Sequence, residues 1–89
     1  MTIEKTLNGA ELTVAVTGRL DTITAPELET SLRESYAGVS KLVLDFAALD
    51  YVSSAGLRVI LQAQKTMNKQ GEMAIRNVNE SINEVFEVT

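Results

Sequence analysis

The chain has 89 residues, 45% of them hydrophobic, which is enough for one small globular domain over residues 1–89. It contains neither cysteine nor histidine, which excludes disulfides, thiolate metal sites, thiol nucleophiles and the usual general base. The net charge of −4 argues against nucleic acid and membranes as partners, and no apolar run approaches the roughly 20 residues of a membrane helix. We therefore expect a soluble, cytoplasmic protein that works by contact, without a cofactor.

Two strands joined by a tight turn are predicted at the start of the chain. Residues 2–7 alternate weakly between polar and apolar, and the Asn8-Gly9 pair that follows is a strong turn signal. Residues 11–20 alternate well, and their apolar face carries Leu12, Val14 and Val16. Together the two segments predict a β-hairpin.

A first helix is predicted after a loop at residues 21–23. Thr24 and Glu27 have the spacing of a capping box, and Pro26 falls in the first turn, where its missing N–H is harmless. Gly38 marks the predicted end of the helix. Its apolar stripe is Leu28, Leu32 and Tyr36.

The second half of the chain predicts two further strands and two further helices. Residues 41–46 are typical of a buried strand, and residues 47–52 are predicted to be a connecting loop. Ser53 or Ser54 would cap a helix that ends near Gly71, with an apolar stripe at Leu57, Ile60, Leu61, Gln64 and Met67. Residues 72–78 predict a strand, and Asn79 or Ser81 would cap a last helix bearing Ile82, Val85 and Phe86. The order β-β-α-β-α-β-α indicates an α/β fold, a mixed sheet with helices packed on it.

The start of the second predicted helix is the most informative segment. A serine there is usually only an N-cap, worth about 1 kcal/mol over alanine. Gly56 costs roughly 0.5–1 kcal/mol relative to alanine in a first helical turn, which a plain cap does not require but the close approach of a partner would. With Ala55 and Gly56 beside it, the Ser54 hydroxyl would stand clear. A phosphate on Ser54 would meet the positive end of the helix and add about −1.5 to −2 charges to the surface.

Asp21 occupies the loop between the second strand and the first helix. By itself such a residue is most often a loop hydrogen-bonder or a solvated charge. If the strands that precede Asp21 and Ser54 are parallel neighbours, however, both loops lie at one edge of the sheet. Asp21 would then bias docking there, or repel a phosphate on Ser54.

Two separated motifs and a third, later segment, all in the right order, resemble the STAS domain and, within it, the bacterial anti-sigma factor antagonists. The resemblance spans essentially the whole chain. The matching segments are Gly18-Arg19-Leu20-Asp21-Thr22 followed by Ala25, then Tyr51-Val52-Ser53-Ser54-Ala55-Gly56-Leu57, and then Asn77-Val78-Asn79-Glu80-Ser81-Ile82. The family usually has an Asp where Ser53 stands, and a second hydroxyl residue where Ala55 stands.

The resemblance implies a regulator that changes partners. The unmodified antagonist binds an anti-sigma factor that is also a serine kinase of the histidine-kinase-like ATPase fold; phosphorylation releases it, and a PP2C-type phosphatase resets it. Aligned on Gly56-Leu57, the phosphoacceptor is Ser54, with Ser53 as second choice. The implied partner contacts are Asp21, Thr22, Ser53, Ala55, Gly56 and Arg58. The family's usual final strand and helix are missing from this sequence, which fits a shortened chain, a reduced natural domain, or an edge supplied by another chain. An unpaired edge strand invites pairing, so a homodimer or a domain swap is one expectation.

Two other functions are weighed against this one. The chain could be a STAS module that is never phosphorylated, acting as a scaffold or as a subunit of a transport complex. An enzyme is disfavoured because Ser54 has no histidine to activate it, and because Gly-x-Ser-x-Gly and a glycine-rich phosphate loop are both absent. We therefore expect no catalytic residue and no bound metal.

Overall fold

The computed structural model of the protein describes residues 1–88. Within these residues the chain forms five strands and three helices, and the predicted α/β fold with helices on a mixed sheet is confirmed. The elements are β1 (Thr2–Asn8), β2 (Glu11–Leu20), α1 (Ala25–Arg33), β3 (Lys41–Asp45), β4 (Leu49–Val52), α2 (Ser54–Asn68), β5 (Glu72–Arg76) and α3 (Glu80–Val88).

The long strand β2 organises the sheet. It pairs antiparallel with β1 through the predicted hairpin, whose turn places Gly9 at a φ of +64°. Its first half pairs parallel with β3, and its last three residues pair parallel with β4. β3 in turn pairs parallel with β5, so that the main sheet has the order β1-β2-β3-β5. The predicted alternation along β2 is confirmed, because Leu12, Val14 and Val16 are all buried.

The prediction that residues 47–52 form a loop is wrong, because β4 lies within them. Only Leu49 and Val52 of this strand are buried, so the segment lacks the two-residue alternation by which strands are recognised in a sequence. The strand exists through pairing: the amide of Gly18 donates to the Ala48 carbonyl at 2.9 Å, and the amide of Ser53 donates to the Leu20 carbonyl at 2.9 Å. The register shifts after Gly18, whose φ of +95° suits glycine.

The helices bury one face each against the sheet and against one another. In α2 the predicted Leu57, Ile60 and Met67 are buried, but Leu61 is 52% exposed and its inclusion in the stripe was wrong. The buried set instead extends to Val59 and Ala63, because α2 also packs against α1. α3 begins at Glu80, and of the two predicted caps it is Asn79 that serves, because its Oδ1 accepts from the amide of Ile82 at 2.8 Å.

The first helix ends earlier than the sequence indicates. α1 stops at Arg33, so Tyr36 is half-buried against the core from outside the helix, and Gly38 (φ +77°) lies in the following turn. The helical hydrogen-bond pattern breaks at the Ser31 carbonyl, which accepts from Lys5 Nζ at 2.9 Å and from the Ser35 hydroxyl at 2.8 Å. β5 likewise ends at Arg76, two residues before the predicted end of that strand.

Candidate functional site

Two strand-to-helix connections meet at one end of the sheet. β2 and β4 run parallel with Leu20 opposite Val52, and the amide of Ser53 donates to the Leu20 carbonyl. Residues 21–24 therefore leave the sheet beside residues 53–56; we call them the first loop and the second loop. The expectation that both loops lie at one edge is confirmed, with β4 as the strand that precedes the second loop.

Ser53 begins α2. Its backbone is extended, with φ −94° and ψ 174°, and its hydroxyl accepts a hydrogen bond from the amide of Gly56 at 3.3 Å. Its carbonyl accepts from the amide of Leu57 at 2.9 Å. Of the two candidate serines, Ser53 is thus the N-cap, and its hydroxyl is engaged in holding the helix start.

Ser54 is the first residue inside α2, and it is exposed. Its hydroxyl makes no hydrogen bond to any residue between 1 and 88. The first turn of α2 contains no acidic residue, so nothing within that turn neutralises the partial positive charge of the helix N-terminus. Ser54 therefore presents a free hydroxyl at an electropositive helix end.

Gly56 is buried, and the structure corrects the reason for its presence. A Cβ at this position would lie 2.7 Å from Leu20 Cγ and 2.9 Å from Val52 Cγ2. The glycine is thus required by packing inside the protein, where α2 rests on the ends of β2 and β4, and the inference that it clears space for a partner was wrong. The close approach leaves Ala55 half-buried and Arg58 exposed.

The first loop is fixed by a network centred on Asp21. Its Oδ1 accepts from the amides of Ile23 at 3.0 Å and Thr24 at 3.1 Å. The Thr24 hydroxyl accepts from the amide of Asp21 at 2.8 Å, and its hydrogen is shared between the Arg19 carbonyl at 2.8 Å and Asp21 Oδ1 at 3.1 Å. The predicted capping box of Thr24 and Glu27 is wrong, because Thr24 has helical dihedrals and its hydroxyl points back into the loop.

The charge of Asp21 belongs to the same network. The hydrogen bond from the Thr24 amide, helped by the Thr24 hydroxyl, the Ile23 amide and the charge of Arg19, lowers the pKa of Asp21. Arg19 Nε lies 3.8 Å from Asp21 Oδ2, and its guanidinium lies 4.3 Å from the centroid of the Tyr51 ring. Arg19 thus links the first loop to β4, and the reading of Asp21 as a loop hydrogen-bonder is confirmed.

A shallow groove opens between the starts of α1 and α2. Its volume is about 370 Å³, and its walls include three of the predicted partner contacts, Thr22, Ala55 and Arg58. Two exposed apolar residues at this end of the sheet were missed: Ile23 is 86% exposed and Tyr51 is 41% exposed. A β-branched apolar residue between two threonines in a turn was the available signal for Ile23.

Two further observations concern metal binding and membrane spanning. Between residues 1 and 88, no three carboxylate side chains come together in a way that could hold a metal ion. None of the helices in that part of the chain has the length and the apolar content needed to span a membrane.

Comparison with known proteins decides the family. A family model described as the STAS domain matches residues 2–89. The chain belongs to the STAS domain family. Within that family it groups with the anti-sigma factor antagonists: the anti-sigma-B factor antagonist of Staphylococcus aureus is 31% identical over 93 residues, covering all of this chain and 84% of that protein. BtrV of Bordetella bronchiseptica, assigned to the same class, is 36% identical over 80 residues, covering 88% of this chain and 69% of BtrV.

Solved STAS structures share the fold. An anti-sigma factor antagonist from Mycobacterium paratuberculosis superposes with a TM-score of 0.88 at 22% identity, covering 98% of this chain and 75% of that one. SpoIIAA in its unphosphorylated form gives a TM-score of 0.82 at 14% identity, covering 99% and 84%. The phosphorylated form of SpoIIAA, from Bacillus, gives 0.79 at 14% identity, covering 98% and 82%. Anti-sigma factor antagonists of the STAS family are non-enzymatic regulators, and this chain is one of that family.

Proposed function

We propose that this STAS domain is a cytoplasmic anti-sigma factor antagonist that docks through the groove and the two loops beside it, and that phosphorylation of Ser54 releases it. The anti-sigma factor in this proposal is a serine kinase of the histidine-kinase-like ATPase fold, and a PP2C-type phosphatase removes the phosphate. The observation that carries the proposal is the exposed Ser54 hydroxyl, which has no hydrogen bond within residues 1–88.

The two adjacent serines support Ser54 as the acceptor. A kinase must reach the hydroxyl and turn its oxygen toward a γ-phosphate, and the Ser54 hydroxyl can do so without a structural cost. Ser53, the second choice, would first have to give up its hydrogen bond with the Gly56 amide. This chain supplies only the hydroxyl, while the base, the Mg²⁺ and the ATP belong to the partner.

A phosphate at Ser54 is compatible with the folded helix. The N-terminus of α2 favours negative charge, and its first turn holds no carboxylate that would repel one. The two forms of SpoIIAA agree with this view, because a protein of the same fold keeps that fold in its phosphorylated form. The modification therefore changes the surface rather than the fold.

Release follows from the place where the charge is added. Ala55, Arg58 and Thr22 line the groove next to Ser54, so a partner seated there covers the hydroxyl. A phosphate would bring about −1.5 to −2 charges and a large hydration shell into that contact. A newly buried charge without a partner weakens association strongly. Gly56 is buried and acts in the proposal only by holding the helix start in place.

The test uses the cognate anti-sigma factor, titrated calorimetrically with and without ATP and Mg²⁺. Ser54→Ala should bind as wild type does and should ignore ATP, whereas Ser54→Asp should bind about 30-fold more weakly, a change of ~2 kcal/mol. Ser53→Ala is the matched control, since it should stay sensitive to ATP. Mass spectrometry should find one phosphate on wild type, located at Ser54.

Equal affinities for wild type, Ser54→Ala and Ser54→Asp would overturn the switch. A phosphate found on Ser53 would move the site by one residue and contradict the argument from hydrogen bonding. Absence of phosphate transfer with every cognate kinase would favour the other function weighed above, an unmodified STAS scaffold or transport-complex subunit.

A further inference from the structure

Arg58 follows Ser54 by one turn of α2. Both residues are exposed, and residues four apart on a helix lie on the same face. Because the Cα–Cβ bonds of a helix tilt toward its N-terminus, a long side chain at position 58 is biased back toward position 54. The guanidinium of Arg58 is therefore within reach of a group attached to the Ser54 oxygen.

The charge of Arg58 is not neutralised by the folded chain. Its guanidinium forms no ion pair and no hydrogen bond with any residue between 1 and 88. Glu29 lines the same groove from α1, but its Oε1 is already engaged by Arg33 Nη2. Within this part of the chain, Arg58 is thus an unpaired cation on the wall of the groove.

The pair formed by Glu29 and Arg33 on α1 shows how an arginine of this chain meets an acid one turn earlier. The acid comes first and the arginine four residues later, which is the more favourable order on a helix. Arg33 Nη2 lies 2.5 Å from Glu29 Oε1. Ser54 and Arg58 have the same spacing and the same order, with a hydroxyl at the position of the acid.

A phosphate on Ser54 would supply that acid with the reach of a glutamate. The chain of atoms Cα–Cβ–Oγ–P–O in phosphoserine has as many bonds as the chain Cα–Cβ–Cγ–Cδ–Oε in glutamate. The phosphate carries about −1.5 to −2 charges and three acceptor oxygens. A planar guanidinium can donate two parallel hydrogen bonds to such a group, so the chemistry and the distance both suit Arg58.

We propose that Arg58 binds the phosphate when Ser54 is phosphorylated, as an intramolecular pair across the first turn of α2. The inference rests on the proposed function and names the side chain that receives the phosphate. Arg58 then leaves the wall of the groove, where the unmodified protein offers its charge to a partner. One modification thus changes two contacts, because a phosphate is added and a cation is withdrawn.

The pair also explains how a single phosphate competes with a bound partner. In the unmodified form Arg58 is available to an acidic group of the anti-sigma factor. A phosphate one turn away on the same helix has a high effective concentration, so it displaces that acidic group from the guanidinium. The acid of the partner is then left in the interface without a counter-charge, which weakens association.

The test uses the full chain with phosphoserine incorporated at position 54 during translation, so that no kinase is needed. Urea unfolding is measured for wild type and Arg58→Gln, each with and without the phosphate. Phosphorylation should lower the unfolding equilibrium constant of wild type roughly two- to fivefold more than that of Arg58→Gln. High salt should reduce this difference. In NMR spectra of wild type, phosphorylation should shift the Nε–H resonance of Arg58 and slow its exchange with solvent.

A variant with the same net charge is the matched control. Arg58→Gln combined with Gln62→Arg moves the guanidinium to the next exposed turn of α2, about 12 Å along the helix axis from position 54. It cannot reach the phosphate there, so this variant should respond to phosphorylation as Arg58→Gln does. An equal response in wild type and both variants, or an Arg58 resonance that phosphorylation leaves unchanged, would refute the pair.

These results are distinguishable from a failure of the proposed function. If phosphorylation abolishes binding to the anti-sigma factor but no coupling to Arg58 is found, the role of Arg58 is wrong and the switch stands. If the coupling is found but binding to the anti-sigma factor ignores the phosphate, the pair stands and the switch is wrong.

Discussion

The first and second loops lie at the same end of the sheet, yet their polar groups are used in opposite ways. In the first loop the carboxylate of Asp21 and the hydroxyl of Thr24 both turn inward, onto backbone groups of the same loop and of Arg19 at the end of β2. In the second loop only Ser53 does so, and the hydroxyl of the next residue, Ser54, is left toward solvent. The polar groups of the first loop bond to one another and to nearby backbone, whereas the second loop has one hydroxyl that is bonded and one that is exposed.

The difference shows that a residue type does not reveal its role at such a site. Asp21 carries a charge and is a predicted partner contact, but its Oδ1 is engaged in shaping the turn, and its Oδ2 lies 3.8 Å from Arg19 Nε. What the first loop offers outward is the side chain of Ile23, which is 86% exposed. The second loop offers a hydroxyl. The chemistry available to a partner is therefore an apolar contact on one side and a modifiable group on the other.

Gly56→Ala should have the largest effect on this arrangement. An alanine in place of glycine in a helix normally stabilises it, but here the new methyl would meet Leu20 Cγ at 2.7 Å and Val52 Cγ2 at 2.9 Å. Overpacking of this kind costs typically 1–3 kcal/mol. We expect urea denaturation to show a loss of roughly 1–3 kcal/mol in the free energy of unfolding.

A double-mutant cycle gives the control for Gly56→Ala. Leu20→Val removes a methylene from the neighbour that the new methyl would strike, so the two substitutions together should cost less than the sum of their separate effects. If Gly56→Ala stabilises the protein instead, α2 does not rest on the ends of β2 and β4 as closely as the structure indicates.

Much of the fold could be predicted from the sequence, because the pattern that indicated it is local. The alternation at Leu12, Val14 and Val16 lies within one strand, and the cap formed by Asn79 depends on an amide three residues away. β4 could not be predicted, because its pairing partner lies about thirty residues earlier in the chain and its own burial does not alternate. The reason for Gly56 could not be predicted either, because the atoms that exclude a side chain there belong to β2 and β4, which lie elsewhere in the sequence.

The candidate site also has some features that follow from local sequence and others that depend on the fold. The prediction that a serine caps α2 needed only local information, but the choice of Ser53 as the cap required the backbone dihedrals. The prediction that the two loops converge was conditional on their preceding strands being parallel and adjacent, and only the structure shows that they are. Ile23 and Tyr51 were missed because exposure of an apolar side chain is a tertiary property.

Ser53→Ala and Ser54→Ala should differ in their effect on the free energy of unfolding. The expected difference is smaller than the effect of Gly56→Ala. Loss of the capping hydroxyl of Ser53 should lower the free energy of unfolding by about 1 kcal/mol. Loss of the Ser54 hydroxyl, which has no hydrogen bond within residues 1–88, should change it by less than about 0.5 kcal/mol. Urea midpoints measured side by side test this, and equal losses would mean that the hydroxyls share the capping role.

The smallest effect concerns the charge of Asp21. Its pKa is lower in the folded protein, so its ionised form contributes stability above the unfolded pKa of about 3.9, and that contribution disappears as the pH falls through the folded pKa. Asp21→Asn keeps an oxygen that can accept from the Ile23 and Thr24 amides but removes the charge. Thermal midpoints should therefore fall less steeply below about pH 4 in this variant than in wild type.

Asp45 makes the matched control for this measurement. The pKa of Asp45 is also lowered, chiefly by the hydrogen bond from the Asn77 side chain. Wild type therefore has two carboxylates that contribute acid-sensitive stability, and Asp45→Asn should remove the contribution of Asp45 while leaving that of Asp21. An unchanged slope in Asp21→Asn would contradict the network drawn for the first loop. Asp21→Asn also tests whether the two loops have separate roles. If its acid sensitivity is reduced while its response to ATP and the anti-sigma factor is that of wild type, the charge of Asp21 serves the turn, and the switch depends on Ser54.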